Sequence, residues 1–323
     1  LRARLRARLR ARLRARLRSV STYVRAYAAR LRARLRVHLK TRLRALLPAF
    51  RRKSHAYCRT LINHCQNGEL DILDLNRKLT DRVKFVTVQH VSNITGCKNN
   101  IKKISSIVHK KNAYLLVDGA QAVSHCPVNM QDLDCDFYCF SGHKCLGPTG
   151  TGVLFGKKSL LLKMNPFMGG GNMISKVSIL KSSWGELPHK LEAGTPNIAG
   201  IIGLGVAIKY ILNIGFSNIR MQEELLTKKM WDSLSSIKNL NLFTKANPFS
   251  PIFSFNMTSA HNYDVGALLD EMNICVRTGN LCAEPASKLL NPGGFIRASL
   301  CFYNTEKEIV LFASALKKTI NML

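Results

Sequence analysis

No two of the ten cysteines, at positions 58, 65, 97, 126, 135, 139, 145, 275, 282 and 301, have the C-x-x-C spacing of a redox or metal-binding pair. A chain of 323 residues with 46% hydrophobic content can bury a core without covalent staples, so a reduced, intracellular setting is expected. No uninterrupted apolar run is long enough to span a bilayer. The longest apolar segment, AGIIGLGVAIKYILNIG (199–215), is broken by Lys209 and by glycines, and it is expected to be a buried helix. Acidic residues are absent from residues 1–53, which hold 18 Arg and 2 Lys, whereas the remaining 270 residues carry 29 basic against 19 acidic side chains. Of the net charge of +30, a share of +20 thus sits in a short head.

That head begins LRARLRARLRARLRARLR and places Arg at every second position, so neither a helix nor a strand separates the like charges. Disorder is expected there. Three readings stay open: an artefactual start translated from repetitive DNA, an organellar transit peptide, or a basic arm for an acidic partner. No aromatic residue interleaves the arginines of the repeat, and the head uses Arg where the body uses Lys, so a nucleic-acid partner is not expected.

From Glu69 onward, apolar runs of strand length alternate with helical patterns, the signature of βαβ units and a mainly parallel sheet. VKFVTV (83–88), AYLLV (113–117) and DFYCF (136–140) are expected strands, with GVLFG (152–156) an antiparallel neighbour. KNNIKKISSIVHKKN (98–112) carries apolar residues at 101, 104, 107 and 108 and is expected to be an amphipathic helix. Helices follow at about 199–213, 218–236 and 264–271. Strands IFSFN, ICVRT and FIRASL alternate with them, and a last helix opens at Thr305 with Glu308 as a capping box. The expected organisation is a low-complexity head (1–53), a large α/β domain (54–245) and a smaller carboxyl-terminal α+β domain (246–323).

Ligands of open α/β sheets collect beyond the carboxyl ends of the strands. Asp118 ends one expected strand, and Lys144 follows another within SGHKCLGPTG, a turn rich in glycine. Gln121, Ser141 and His143 lie in the same two loops. A carboxylate, an amine and several hydrogen-bonding groups at one sheet edge suit pyridoxal phosphate (PLP), which binds covalently to a lysine and needs an acid at its ring nitrogen. No metal-ligand set is expected.

The segment VDGAQAVSHCPVNMQDLDCDFYCFSGHKCLGPTGTGVLFGK resembles the core of the class V aminotransferases, and within them the cysteine desulfurases of the SUF-type branch. The likeness continues through GGGNMI, LEAGTPNIAGIIGLGVAI, HNYDVGALLDEMNICVRTGNLCAEP and IRASLCFYNT. It implies a fold type I PLP enzyme and a homodimer that converts L-cysteine to alanine and passes sulfur to an acceptor protein of the SUF system for iron–sulfur cluster assembly. By the same resemblance Lys144 holds PLP, Asp118 pairs with its nitrogen, Gln121 reaches its phenolate oxygen, and Ser141 and His143 hold its phosphate. Thr195 reaches the phosphate of the neighbouring subunit's cofactor. Asn93 and Arg297 hold the substrate carboxylate. Cys282 is the nucleophile that carries the sulfur, with Arg277 favouring its thiolate.

Asn280 and Leu281 stand where relatives carry histidines, and the family's amino-terminal part, with its phosphate-cradling threonine and ring-stacking histidine, is expected to be missing. His55 and His64 are weighed as substitutes and read as solvated side chains. The alternatives are an inactive truncated fragment or incomplete gene model, a selenocysteine lyase, and another class V aminotransferase. A cytoplasmic location is expected, or a plastid or mitochondrion if the head is a transit peptide.

Overall fold

A computed structural model describes residues 60–63, 68–244 and 249–323. The Arg-rich head, His55 and His64 lie outside the described residues. The described chain divides into two units, one of which contains residues 158–196 and the other residues 57–157 and 197–323.

The larger unit opens with α1 (Ile72–Lys78), β1 (Phe85–Gln89), α2 (Ile101–His109), β2 (Tyr114–Asp118), α3 (Met130–Leu133), β3 (Phe137–Ser141) and β4 (Gly152–Gly156). The four strands form a sheet in sequence order, with β1, β2 and β3 parallel and β4 antiparallel to β3. Helix α2 buries Ile101, Ile104 and Val108 against Val86, Val88, Leu115 and Val117, which accounts for its three-and-four spacing of apolar residues. Asn100 starts it by accepting from the Lys103 amide.

The unit resumes with α5 (Ile198–Ile214), α6 (Phe216–Ser235), β7 (Leu240–Leu242), β8 (Ile252–Met257), α7 (Asn262–Glu271), β9 (Arg277–Gly279), α8 (Glu284–Leu290), β10 (Phe295–Ser299) and α9 (Glu306–Met322), after α4 (Lys158–Lys163), β5 (Ile174–Val177) and β6 (Ser182–Trp184) of the other unit. A second, antiparallel sheet has the order β7-β8-β10-β9. Its core joins Phe253, Phe255, Ile296 and Ala298 to Leu226, Met230 and Leu234 of α6 and to Ile309, Phe312 and Leu316 of α9. Each large side chain so buried contributes roughly 1.5–3 kcal/mol. Thr305 and Glu308 form the expected capping box of α9.

The expectation that 199–215 is a buried helix needs correction. The helix is there as α5, but only Gly200, Leu204, Ala207 and Ile211 are buried in it. Ile198, Ile201, Ile202, Val206 and Tyr210 are each more than half exposed. Apart from Lys209 and Asn213 the segment is apolar around its circumference, and one stripe suffices to pack against Cys145 and Ile219. No single helix among the described residues is long and apolar enough to cross a membrane.

The 158–196 unit holds α4 and the β5–β6 hairpin, whose strand residues are all exposed. Its two glycine-bearing loops touch, with the Gly194 amide donating to Gly171 O at 3.0 Å. A Cβ on Gly170 would lie 2.9 Å from the Gly194 nitrogen, so this approach requires glycine.

Candidate functional site

Strands β2 and β3 are parallel and in register, Asp118 opposite Cys139, so the residues that follow both strands emerge on one sheet edge. Asp118 ends β2 with its side chain toward solvent, and one carboxylate oxygen accepts from the Ala120 amide at 2.9 Å. Beneath it the chain turns at Gly119, where a Cβ would sit 2.0–2.2 Å from the Tyr138 ring. The glycine is there because a fully buried aromatic side chain passes directly under the loop. The Tyr138 hydroxyl meets His90 Nδ1 at 2.9 Å, and the two rings lie edge to face with centroids 5.9 Å apart. Burial holds the Tyr138 hydroxyl well above its usual value and lowers His90 to about 4, with Lys98 adding to the depression.

After β3 the chain enters a 3-10 turn, Gly142–Lys144. The Gly142 carbonyl accepts the amides of both Cys145 and Gly147, and the Gly142 amide donates to Thr151 O. A Cβ at 142 would fall 2.1 Å from Thr151 Oγ1. Cys145 points inward and packs with Ile211 and Ile219. His143 and Lys144, on the outer side of the same turn, are exposed. Lys144 has no hydrogen-bond or ion-pair partner among the described residues. The glycines and the buried cysteine of SGHKCLGPTG thus form a compact bracket that presents an uncommitted amine one strand away from the Asp118 carboxylate. Gln121 is half-buried in the loop after Asp118, and Ser141 is half-buried at the last position of β3.

A second group assembles at the antiparallel sheet β7-β8-β10-β9. Arg297 on β10 stands opposite Arg277 on β9 and Ser254 on β8. Its Nη1 donates to the Asn93 carbonyl at 3.0 Å, while its Nε is buried without a hydrogen-bond partner. Burial pulls the guanidinium below its usual value, the like charge of Arg277 adds to this, and nearby Cys282 acts in the opposite direction. Cys282 is exposed and Leu281 is buried, and both have positive φ, 62° and 50°. Asn93 Nδ2 donates to Leu281 O at 2.7 Å, and Asn93 Oδ1 accepts from Gln89 at 3.2 Å. Ser254 Oγ donates to Ile94 O at 2.6 Å, which ties the HVSN segment to the second sheet. Asn93, Arg297, Arg277 and Cys282 are therefore gathered from four separate segments. Thr195 lies in the 158–196 unit, where EAGTPN is largely exposed.

Two supporting pairs had no sequence signal. Tyr138 and His90 are one. The other is His125 Nδ1 with Glu223 Oε1 at 2.7 Å, both buried, which fastens the loop after Asp118 to α6. Their partners are 48 and 98 residues apart, beyond any local pattern.

Residues 50–312 match the family model described as aminotransferase class-V. The chain is 42% identical over 254 residues to a probable cysteine desulfurase of Halalkalibacterium halodurans, covering 79% of this chain and 62% of that protein. It is likewise 42% identical over 258 residues to a cysteine desulfurase of Shigella sonnei, covering 80% and 63%. The solved cysteine desulfurase CsdA of Escherichia coli, in its S-sulfonic acid form, superposes with a TM-score of 0.74 at 35% identity over 78% of this chain and 63% of that one. An apo cysteine desulfurase of Thermococcus onnurineus gives 0.77 at 36% identity over 82% and 66%. The chain spans under two thirds of the length of the curated relatives it matches.

Proposed function

Because the chain belongs to the class V aminotransferases, we propose that it is a PLP-dependent cysteine desulfurase that takes sulfur from L-cysteine onto Cys282 and releases alanine. The observation that carries this is the pairing of two clusters. Asp118 and Lys144 stand at adjacent strand ends, and Arg297 with an unpartnered buried Nε stands beside Cys282.

The donor set fits PLP. Asp118 keeps an oxygen uncommitted for a pyridine nitrogen, Lys144 has a free amine, Gln121 offers an amide for the phenolate oxygen, and Ser141 and His143 offer donors to a phosphate. Thr195 is assigned to the phosphate of a second copy's cofactor, which makes the working form a homodimer. When bound, the cofactor supplies an electron sink for the substrate's Cα.

The protein's own residues do the rest. Arg297 takes the substrate carboxylate, for which a planar guanidinium offers two parallel donors, and Arg277 adds charge from the next strand. Lys144 moves the proton at Cα. The thiolate of Cys282 attacks the substrate sulfur. The S–S bond of a persulfide forms as the substrate's C–S bond breaks, and a proton returned to the carbon skeleton completes alanine. The persulfide then passes its outer sulfur to a thiol of an acceptor protein, which by family kinship we assign to the SUF system of iron–sulfur assembly.

The test uses the full chain with PLP and L-cysteine. Alanine should form, and the peptide containing Cys282 should gain one sulfur atom. Release of sulfide and alanine by Cys282→Ala at the parental rate would refute the assignment.

A further inference from the structure

The loop that carries Cys282 is held in a conformation it would not choose alone. Leu281 and Cys282 are consecutive non-glycine residues in the left-handed region, at φ 50° and 62°, directly after Gly279 and Asn280. L side chains disfavour that region, and such residues persist only where the surroundings over-determine them. Here three contacts do so. The Leu281 side chain packs with Ile94 and Phe295. Asn280 is fixed through its Oδ1, which accepts from Ser287 Oγ at 3.0 Å, and through its carbonyl, which accepts the Ala283 amide at 2.8 Å. The remaining contact comes from the segment that follows β1, where Asn93 Nδ2 donates to the Leu281 carbonyl at 2.7 Å.

Asn93 is also the residue whose backbone carbonyl takes Nη1 of Arg297. Both polar ends of its side chain are engaged, Nδ2 through one N–H to Leu281 and Oδ1 by Gln89. A carboxylate arriving at this place finds the orphaned Nε of Arg297, and on Asn93 an amide already held in place by its bonds to Leu281 and Gln89 with one N–H to spare.

We propose that Asn93 is a positioning residue that clamps the strained Leu281–Cys282 turn beside Arg297, so that the thiol is aimed by the same segment that fixes the carboxylate-binding guanidinium. This rests on the desulfurase reading only for its consequence in turnover. The clamp itself is a property of the chain without cofactor or substrate. Losing the Nδ2 donor frees the Leu281 carbonyl, and the turn relaxes toward ordinary backbone angles.

The experiment compares the parent with Asn93→Asp, which keeps the shape and replaces the donor by an oxygen that repels the Leu281 carbonyl. Hydrogen exchange is followed by mass spectrometry on the full chain without PLP or cysteine. Exchange of the 280–283 amides should speed up about tenfold, the effect of losing one hydrogen bond, while the Ile309–Leu316 amides of α9 keep the parental rate. Should Asn93→Asp not fold, Asn93→Ser, whose hydroxyl is too short to reach Leu281, takes its place. Unchanged exchange at 280–283 overturns the proposal.

A kinetic arm on the PLP-loaded enzyme separates the roles. A clamp predicts a fall in kcat for persulfide formation with KM for cysteine within about twofold of the parent. A rise in KM of about tenfold with kcat retained would make Asn93 a substrate ligand and overturn the clamp. If no variant and no parent sample turns over cysteine, the desulfurase reading fails while the exchange result still decides the clamp.

Discussion

Substituting alanine for Gly119 tests whether the floor beneath Asp118 is as tight as its geometry indicates. The new Cβ would lie 2.0 Å from Tyr138 Cε1, against an ordinary contact of 3.4–4 Å, so the ring has to retreat by 1.4 Å or more (3.4 − 2.0). Tyr138 is fully buried on β3, a strand paired on both sides, and has no open space to enter. Overpacking of this kind costs about 1–3 kcal/mol. Retreat also breaks the Tyr138–His90 hydrogen bond, and leaving a buried His nitrogen without a partner costs about 1–3 kcal/mol more.

The sum, about 2–6 kcal/mol, is a large part of the 5–15 kcal/mol by which a domain is typically stable. Urea titration followed by circular dichroism would read it as a lowered midpoint with unchanged slope. Gly119 is not in the left-handed region, so the effect is steric. Gly205→Ala serves as the control. It lies within α5 with nothing within 4 Å of a new Cβ, and there alanine should stabilise by about 0.5–1 kcal/mol. A Gly119→Ala protein within 0.5 kcal/mol of the parent would refute the reasoning.

Other outcomes follow from the same contacts. His90 stays neutral in the fold down to about pH 4, while an unfolded chain takes up that proton near pH 6.5. The unfolded state therefore binds more protons between these values, and acidification across that window should remove about 3 kcal/mol of stability. His90→Gln should flatten that part of the stability-against-pH curve; an unchanged slope would contradict the assignment. Glu223→Ala strips the buried hydrogen-bond partner from His125 and should destabilise by about 1–3 kcal/mol in the same titration. Thr305→Ala removes one half of the α9 capping box and should cost about 1 kcal/mol, read as a lower thermal midpoint.

Much of the first sheet was legible in the sequence because short apolar runs bounded by turn residues leave little choice of element. The observed β1, β2 and β3 fall within one or two residues of VKFVTV, AYLLV and DFYCF. The places of Asp118 and Lys144 were legible for the same reason, since a strand end fixes where the next side chains emerge. The burial of 199–215 was not, because periodicity reports which faces are apolar and not what covers them. The β5–β6 hairpin was also missed, as ISKV and SSW carry little apolar alternation. Residue types near Cys282 gave no hint of the Asn93–Leu281 bond, whose partners lie 188 positions apart. Contacts of that range depend on two sheets meeting, which no local window encodes.

If the Lys144 amine and the Asp118 carboxylate flank one pyridine ring, borohydride reduction of the full chain incubated with PLP, followed by peptide mapping, should find a phosphopyridoxyl group on Lys144, absent from Lys144→Ala and much reduced in Asp118→Ala. A label on another lysine, or capture by Lys144→Ala equal to that of the parent, would contradict that arrangement.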